Sequence, residues 1–502
     1  MKTQVINEQE RMYQLIGRML VILFFSWLGW NVFNGEHIPV ANGLGWDGEG
    51  YSRITLAFPD YLFGHGLDQY LLQRMLSFGA VYFFFKIFGL SLTPVIMPVA
   101  FGALSLVLLL FSVFLWRAIA IKFAWKPEVR LMMLVGLFFN YAILKMNIYY
   151  PVLTDITGFF FGLLMLYFYV QKRNYAVLLT TLIGAFAFPT LLYVGIIFFV
   201  FPIENNQIAQ RRVNYLSMAI SFSIALAIIG WCLLAHRAGH KAVGGYYSLP
   251  ILGMSACALF AYLFAGFSYL VPYCIDCLLG CWQRVSSRIV VAVATFIGLK
   301  ALMFYLSDGA KGALSFSLFI KNIAVQALAY PFIFIVSHVV YYGPVILLLI
   351  YFWKDIVIYI KNKGPGLFIV FGLYFVLSIG SESRQFIAFF PISMFVLGEI
   401  LNRKKITPIF IYSFICLSLI ASKFWLPLNH GEWPSIWTNP PEVTLAFPMQ
   451  WYFMSQGPWV SKGMYVVNFM LVSLIGLIIY LLSKKGVSDD TYQLQEKLNG
   501  NS

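Results

Sequence analysis

The stretch Met19–Phe33, MLVILFFSWLGWNVF, and the stretch that follows it, NGEHIPVANGLGWDGEGYSRI (Asn34–Ile54), decide how the rest of the chain is read. The first carries no ionisable side chain. The second sets two carboxylates, Asp47 and Glu49, among glycines and aromatic rings. Burying a charge is costly, so a linker built this way calls for a reason.

The chain as a whole resembles its first run. It is 61% apolar and 11% charged over 502 residues, whereas a soluble domain carries about a quarter charged residues. That much apolar surface cannot be hidden in one aqueous core. Apolar runs near the length that crosses the hydrocarbon core recur throughout. Period-two alternation with turn signals, the mark of a membrane barrel, is absent. The expected fold class is an all-α polytopic membrane protein.

The net charge of +14 does not point to nucleic acid, because Lys and Arg gather in short clusters between apolar runs and no zinc-finger spacing or basic arm is present. They read as topology markers that meet anionic headgroups. Placing Lys2/Arg11/Arg18, Arg117/Lys122/Lys126/Arg130, Lys172/Arg173, Arg211/Arg212, Arg284/Arg288, Lys354/Lys361/Lys363, Arg403/Lys404/Lys405 and Lys484/Lys485 in the cytoplasm requires an even number of crossings between neighbours. Spans then fall near 19–33, 92–116, 131–148, 154–170, 215–235, 251–272, 289–306, 330–353, 366–380, 386–401, 407–425 and 464–482. The stretch 175–202 must cross twice or turn back, and Phe188-Pro189-Thr190 breaks it near its middle. Such broken backbone survives in a bilayer only under a cover of protein or around a cavity.

This gives twelve spans plus the broken pair, about 12–14 membrane segments with both termini cytoplasmic. The N-terminus is read as a polar lead into the first span, not a cleavable signal, since no small-x-small site follows the run. Residues 1–485 form one transmembrane catalytic domain, and 486–502 a polar tail expected to be disordered. Outer loops fall near 34–91, 236–250, 307–329, 381–385 and 426–463. His236, Arg237, His240 and Lys241 strain the rule by lying outside. The longest two loops, 34–91 and 426–463, are rich in Trp, Tyr, Pro and Gly, so function is expected on that face.

Asp47 and Glu49 lie in the first of these loops, with Arg53 close by; glycines on both sides allow a tight turn. Thr154-Asp155 opens a span at the same surface. It reads either as a helix cap, accepting from free first-turn amides, or as a site group, because an ionisable residue at a membrane helix end is a functional candidate. Ser381-Glu382-Ser383-Arg384 forms a polar outer corner. Arg384 can snorkel to headgroups or grip a phosphate through its planar fork; an outside arginine defies the topology rule, which favours the second reading. Arg74, Lys86 and Lys145 are second phosphate contacts or snorkelling residues. His65 and His430/Glu432 lack a third metal ligand in sequence. Among six cysteines, Cys274, Cys277 and Cys281 make a C-x-x-C-x-x-x-C run without a nearby fourth ligand and read as apolar filling. No P-loop, G-x-S-x-G or H-E-x-x-H is present. ATP hydrolysis is not expected, nor is nucleotide-sugar use from the short inner loops.

Trp46-Asp47-Gly48-Glu49-Gly50-Tyr51, Arg74-Met75-Leu76, Thr154-Asp155, Lys172-Arg173, the proline-broken pair and S-x-S-R-x-x-x-x-x-x-P (Ser381–Pro391) together resemble the glycosyltransferase C superfamily over about residues 15–400. Two departures stand out: Asp47-Gly48-Glu49 replaces the usual adjacent acids, and the large soluble C-terminal domain of some branches is not seen. The resemblance implies a membrane transferase that moves a hexose or pentose from a polyprenyl-phosphate carrier to a glycan, lipid or protein acceptor, with inversion. Asp47 would be the general base, and Arg384 would hold the lipid-linked phosphate. Asp155 would position donor, acceptor or a divalent ion (Mg or Mn, held by Asp47 and Asp155). Glu49, Arg74, Glu382 and Lys145 would complete substrate binding.

The rival readings are a transporter or flippase of lipid-linked glycans and an O-antigen-type polymerase or ligase. Few mid-span charges count against the first; the absence of arginine in 426–463 counts against the second. The expected location is a bacterial inner membrane with a periplasmic site, although an endoplasmic reticulum membrane would keep the same topology.

Overall fold

A computed structural model describes residues 2–64, 66–204, 214–240, 247–282, 287–307, 316–429 and 462–489. His65, Arg211/Arg212, Lys241, Arg284, His430, Glu432 and most of the 426–463 loop lie outside these residues, as do 490–502 and the side chains of Cys277 and Cys281.

The described residues are almost wholly helical. In order come α1 (Lys2–Asn34), α2 (Gly45–Leu56), α3 (Phe58–Phe63), α4 (Gln69–Leu72), α5 (Met75–Ile87), α6 (Met97–Lys122) and α7 (Pro127–Phe138). A π-helical turn, Ala142–Met146, leads into α8 (Asn147–Tyr149). Then follow α9 (Asp155–Val170), α10 (Asn174–Gly184), α11 (Leu191–Val200), α12 (Tyr215–Arg237), α13 (Leu249–Trp282) and α14 (Ser287–Leu306). The last group is α15 (Phe316–Ala329), α16 (Ile333–Tyr342), α17 (Val345–Tyr351), α18 (Trp353–Asn362), α19 (Pro365–Leu377), α20 (Phe390–Leu401), α21 (Pro408–Ala421) and α22 (Lys462–Gly486).

Six described helices are long and apolar enough to cross a membrane, or eight if two bent pairs each count as one span. The chain is therefore a multi-pass membrane protein, with six to eight full-length spans among the described residues. Seven further apolar helices have only 10–17 residues. At 1.5 Å per residue the 16-residue α9 reaches about 24 Å, short of a hydrocarbon core of about 30 Å. These short helices include the interior ones: every residue of α20 is buried, which is why it is apolar on all faces except at Ser393 and at Glu399, whose carboxylate accepts from Trp125 Nε1 (2.7 Å) and the Tyr359 hydroxyl (3.1 Å). Gly162 of α9 lets that helix approach the Ala388 carbonyl just before α20 so closely that a Cβ would not fit.

The proline-broken stretch does turn back. Thr181 of α10 lies against Gly195 of α11, and Gly184 lies against Leu191, an antiparallel hairpin. The expected outer loop 307–329 is corrected by α15, whose apolar run packs on α12 and α13 and meets α16 at 99°. The run 330–353 is not one span but α16 and α17, with Gly343 at φ +82° and Pro344 between them.

Basic clusters distant in sequence meet at one end. Lys122 Nζ donates to the Val170 carbonyl (2.8 Å) and to Gln171 Oε1 (2.7 Å). Lys126 Nζ reaches the Lys404 carbonyl (3.0 Å), and Lys404 pairs with Asp355 (3.1 Å). Beside them Lys404–Ile406 and Val487–Asp489 form a two-stranded antiparallel ladder, so the start of the expected disordered tail is ordered. Because α9 runs from Asp155 to this basic end at Val170, Asp155 lies at the opposite end.

Candidate functional site

Three segments far apart in sequence meet at that opposite end. Asp47 comes from the first turn of α2, Asp155 opens α9, and Arg384 sits in a 3-10 turn, Ser383–Phe386, between α19 and α20. Arg384 Nη1 lies 3.6 Å from Asp47 Oδ2, its Nε 3.4 Å from Asp155 Oδ2, and its Nη2 3.5 Å from Asp155 Oδ1. Charge-assisted N–H···O bonds run about 2.7–2.9 Å. The guanidinium is thus ion-paired to both acids while its hydrogen bonds are stretched. The side chains are 51% exposed for Asp47, 10% for Asp155 and 16% for Arg384.

Local sequence explains the convergence. Asp47 lies not in a loop but in the first turn of α2, where a carboxylate faces free amides. The chain reverses before it through left-handed residues: Ala41, Asn42, Gly43 and Gly45 all have positive φ. Gly45 presses on the Tyr150 ring, where a Cβ would lie 2.4 Å from Cζ. The Gly48 N–H then donates to the Tyr150 hydroxyl (3.1 Å). These contacts dock the start of α2 on Tyr150 and Val152, three to five residues before Asp155. Glycine gives close approach here as well as a turn.

The helix-cap and snorkelling readings are not what the geometry shows. Thr154 makes no capping bond; its Oγ1 instead accepts from Arg74 Nη1 (2.7 Å), and Asp155 faces Arg384. Arg384 does not snorkel, being folded onto two carboxylates.

Other expected substrate contacts are placed differently. Arg74 is only 1% exposed and lies between the Tyr70 and Phe188 rings, 4.5 and 5.1 Å from their centroids. It ties the segment between α1 and α6 to α9 and the broken hairpin, which corrects its reading as a phosphate contact: an enclosed guanidinium is not open to substrate. Lys145 pairs with Glu36, which also accepts from the Leu428 (2.7 Å) and Asn429 (3.0 Å) amides. Burial opposes ionisation of Glu36, but Lys145 and these amides hold its carboxyl below the usual range. Lys145 therefore serves this latch instead of a phosphate. Glu49 is exposed and has no ion pair among the described residues. Lys86 is exposed on α5. Glu382 is half-buried beside Arg384; burial pushes its carboxyl up, and Arg384 pulls it back in part.

The residues do not fit a resident divalent ion. Arg384 already stands as the cation between Asp47 and Asp155, and no group of three His, Cys, Asp or Glu converges among the described residues.

Sequence reasoning missed the supporting shell: Tyr150, Tyr341 beside Asp155, and the His338–Tyr342 pair behind Arg384. The one available signal was a polar pair in an otherwise apolar run, Ser337-His338-Val339-Val340-Tyr341-Tyr342. Compared with known protein families, with curated proteins and with solved structures, the chain matches none.

Proposed function

We propose that the chain is a glycosyltransferase C-like membrane enzyme of about 12–14 membrane segments. In this reading it transfers a sugar from a polyprenyl-phosphate carrier to an acceptor hydroxyl on the outer face of a bacterial inner membrane. The observation that carries the reading is the pairing of one guanidinium with two carboxylates, Arg384 with Asp47 and Asp155, opposite the basic end.

The chemistry assigns each group a task. The bond from the anomeric carbon to the phosphate oxygen breaks, and polyprenyl phosphate leaves with the electron pair. Arg384 holds the charge that develops there. The acceptor oxygen forms the new bond at the opposite face of the anomeric carbon, giving inversion, while its proton passes to Asp47. Asp47 suits a base that must meet an acceptor, since it is the more exposed of the two acids. Asp155, nearly enclosed, keeps Arg384 oriented. The polyprenyl tail stays in lipid while its head reaches this end of the bundle.

The test is transfer by the purified full chain from a panel of polyprenyl-phosphate hexoses and pentoses, native against Asp47→Asn. The variant should lose about 10²- to 10⁴-fold in rate with donor binding kept. Undiminished transfer at equal expression would sink the assignment, and movement of lipid-linked sugar across vesicles without covalent change would favour a flippase.

A further inference from the structure

The polar corner that carries Arg384 is suspended from helices that contribute neither of its carboxylate partners. Ser381 and Ser383 are 0% and 2% exposed and turn inward, while Glu382 and Arg384 between and after them turn toward the site. The Ser383 carbonyl accepts from the Tyr342 hydroxyl (2.8 Å), and Ser383 Oγ meets His338 Nδ1 (2.9 Å). His338 Nε2 faces the Ser378 carbonyl (3.0 Å). A carbonyl only accepts, so Nε2 carries the hydrogen, and in the neutral ring Nδ1 accepts from the Ser383 hydroxyl. His338 and Tyr342 are one turn apart on α16 and so share a face. Each ring is itself fixed, His338 edge-on to Phe386 (4.9 Å) and Tyr342 stacked on Phe390 (4.2 Å). Further back, the Ser381 amide donates to Gln326 Oε1 of α15 (3.2 Å), and the Tyr262 hydroxyl of α13 lies 2.7 Å from Ser378 Oγ.

We infer that His338 and Tyr342 of α16 are positioning residues that clamp Ser383 and thereby aim the Arg384 guanidinium at substrate phosphate. The inference rests on the proposed phosphate role of Arg384. A turn whose serine is held at its hydroxyl by one rigid ring and at its carbonyl by another has little freedom to rotate. The adjacent guanidinium then keeps its direction without short bonds of its own, as its stretched 3.4–3.6 Å contacts require. Supporting groups of this kind are what hold a site to productive geometry.

The test uses the full chain in detergent micelles and farnesyl phosphate as the probe, with binding read by tryptophan quenching. Tyr342→Phe keeps the ring stack and removes one donor, and should weaken binding about tenfold. Ser383→Ala removes the hydroxyl that meets His338 without touching Tyr342, and should act in the same direction. Each substitution is repeated in an Arg384→Gln background. If the clamp acts through Arg384, both effects vanish there, since there is no guanidinium left to aim. Equal losses in both backgrounds, or native binding in both single variants, would overturn the inference. If the native chain and Arg384→Gln bind farnesyl phosphate equally or not at all, the phosphate reading itself fails and the clamp falls with it. That result is recognised by the silence of Arg384→Gln.

Discussion

Gly45 decides where Asp47 sits, and replacing it by alanine is the sharpest perturbation of the site that touches no charge. Gly45 has φ +69°, and its missing Cβ would lie 2.4, 2.6 and 2.8 Å from three atoms of the Tyr150 ring. A non-glycine residue in the left-handed region costs about 1–2 kcal/mol. Tyr150 must also move, and its hydroxyl is the acceptor for the Gly48 N–H, a bond worth about 1 kcal/mol. Together Gly45→Ala should cost about 2–3 kcal/mol and shift the first turn of α2 away from Arg384. Gly50, on the same helix, has nothing within 4 Å of its would-be Cβ. Gly50→Ala should therefore stabilise by about 0.5–1 kcal/mol through helix propensity alone. The assay is thermal unfolding of both purified variants, followed by sugar transfer at a temperature where both are folded. Gly45→Ala should unfold earlier and transfer far more slowly, while Gly50→Ala should do neither. Equal behaviour of the two variants would refute the docking of α2 on Tyr150.

Arg74→Met removes an enclosed guanidinium with one hydrogen bond and two ring contacts; thermal unfolding should show a loss of about 2–4 kcal/mol. Donor KM of the folded fraction should change little, and a large KM rise with unchanged melting would restore Arg74 as a phosphate contact. Glu36 is held below its ordinary value, so its contribution is present above the usual glutamate range and is lost as pH falls through that lower value. Melting followed from about pH 6 to about pH 3, across the glutamate range, should show an acid loss that Glu36→Gln abolishes; parallel curves would contradict the latch.

Much of the site's composition is legible in the sequence, and its wiring much less so. Glycines around a pair of acids, an acid opening an apolar run and an arginine on the non-basic side are visible because each breaks the rule that membrane segments avoid charge. What cannot be read is which partner each charge meets. Arg74, Lys145 and Arg384 look alike as outer cations. Only folding brings Thr154 to the first and Glu36 to the second, across 80 and 109 residues, leaving the third for two acids. The bounds of single spans are harder to read for a related reason. Parity and hydropathy detect apolar runs but not whether neighbours cover them, so α16 and α17 read as one crossing and the apolar run of α15 as a loop. The broken hairpin was readable because Pro189 acts locally on its own backbone, whatever its surroundings.

The charges at the site also set the order of events under the proposed function. Arg384 is flanked by two carboxylates, so the trio is net negative before any substrate arrives. An incoming phosphate anion gains little from a cation already answered twice at 3.4–3.6 Å. One carboxylate must therefore loosen its hold as phosphate binds. Asp155 is nearly enclosed and faces two nitrogens of the guanidinium, whereas Asp47 is half exposed and faces one at the longest of these distances. Coulomb attraction falls with distance and with solvent screening, so Asp47 is the one released. Its release gives Arg384 a free edge for the phosphate and leaves Asp47 an unpaired carboxylate at the moment an acceptor hydroxyl needs a base. Under the proposed function, donor binding would thus prepare the base, and acceptor activation would depend on a loaded donor.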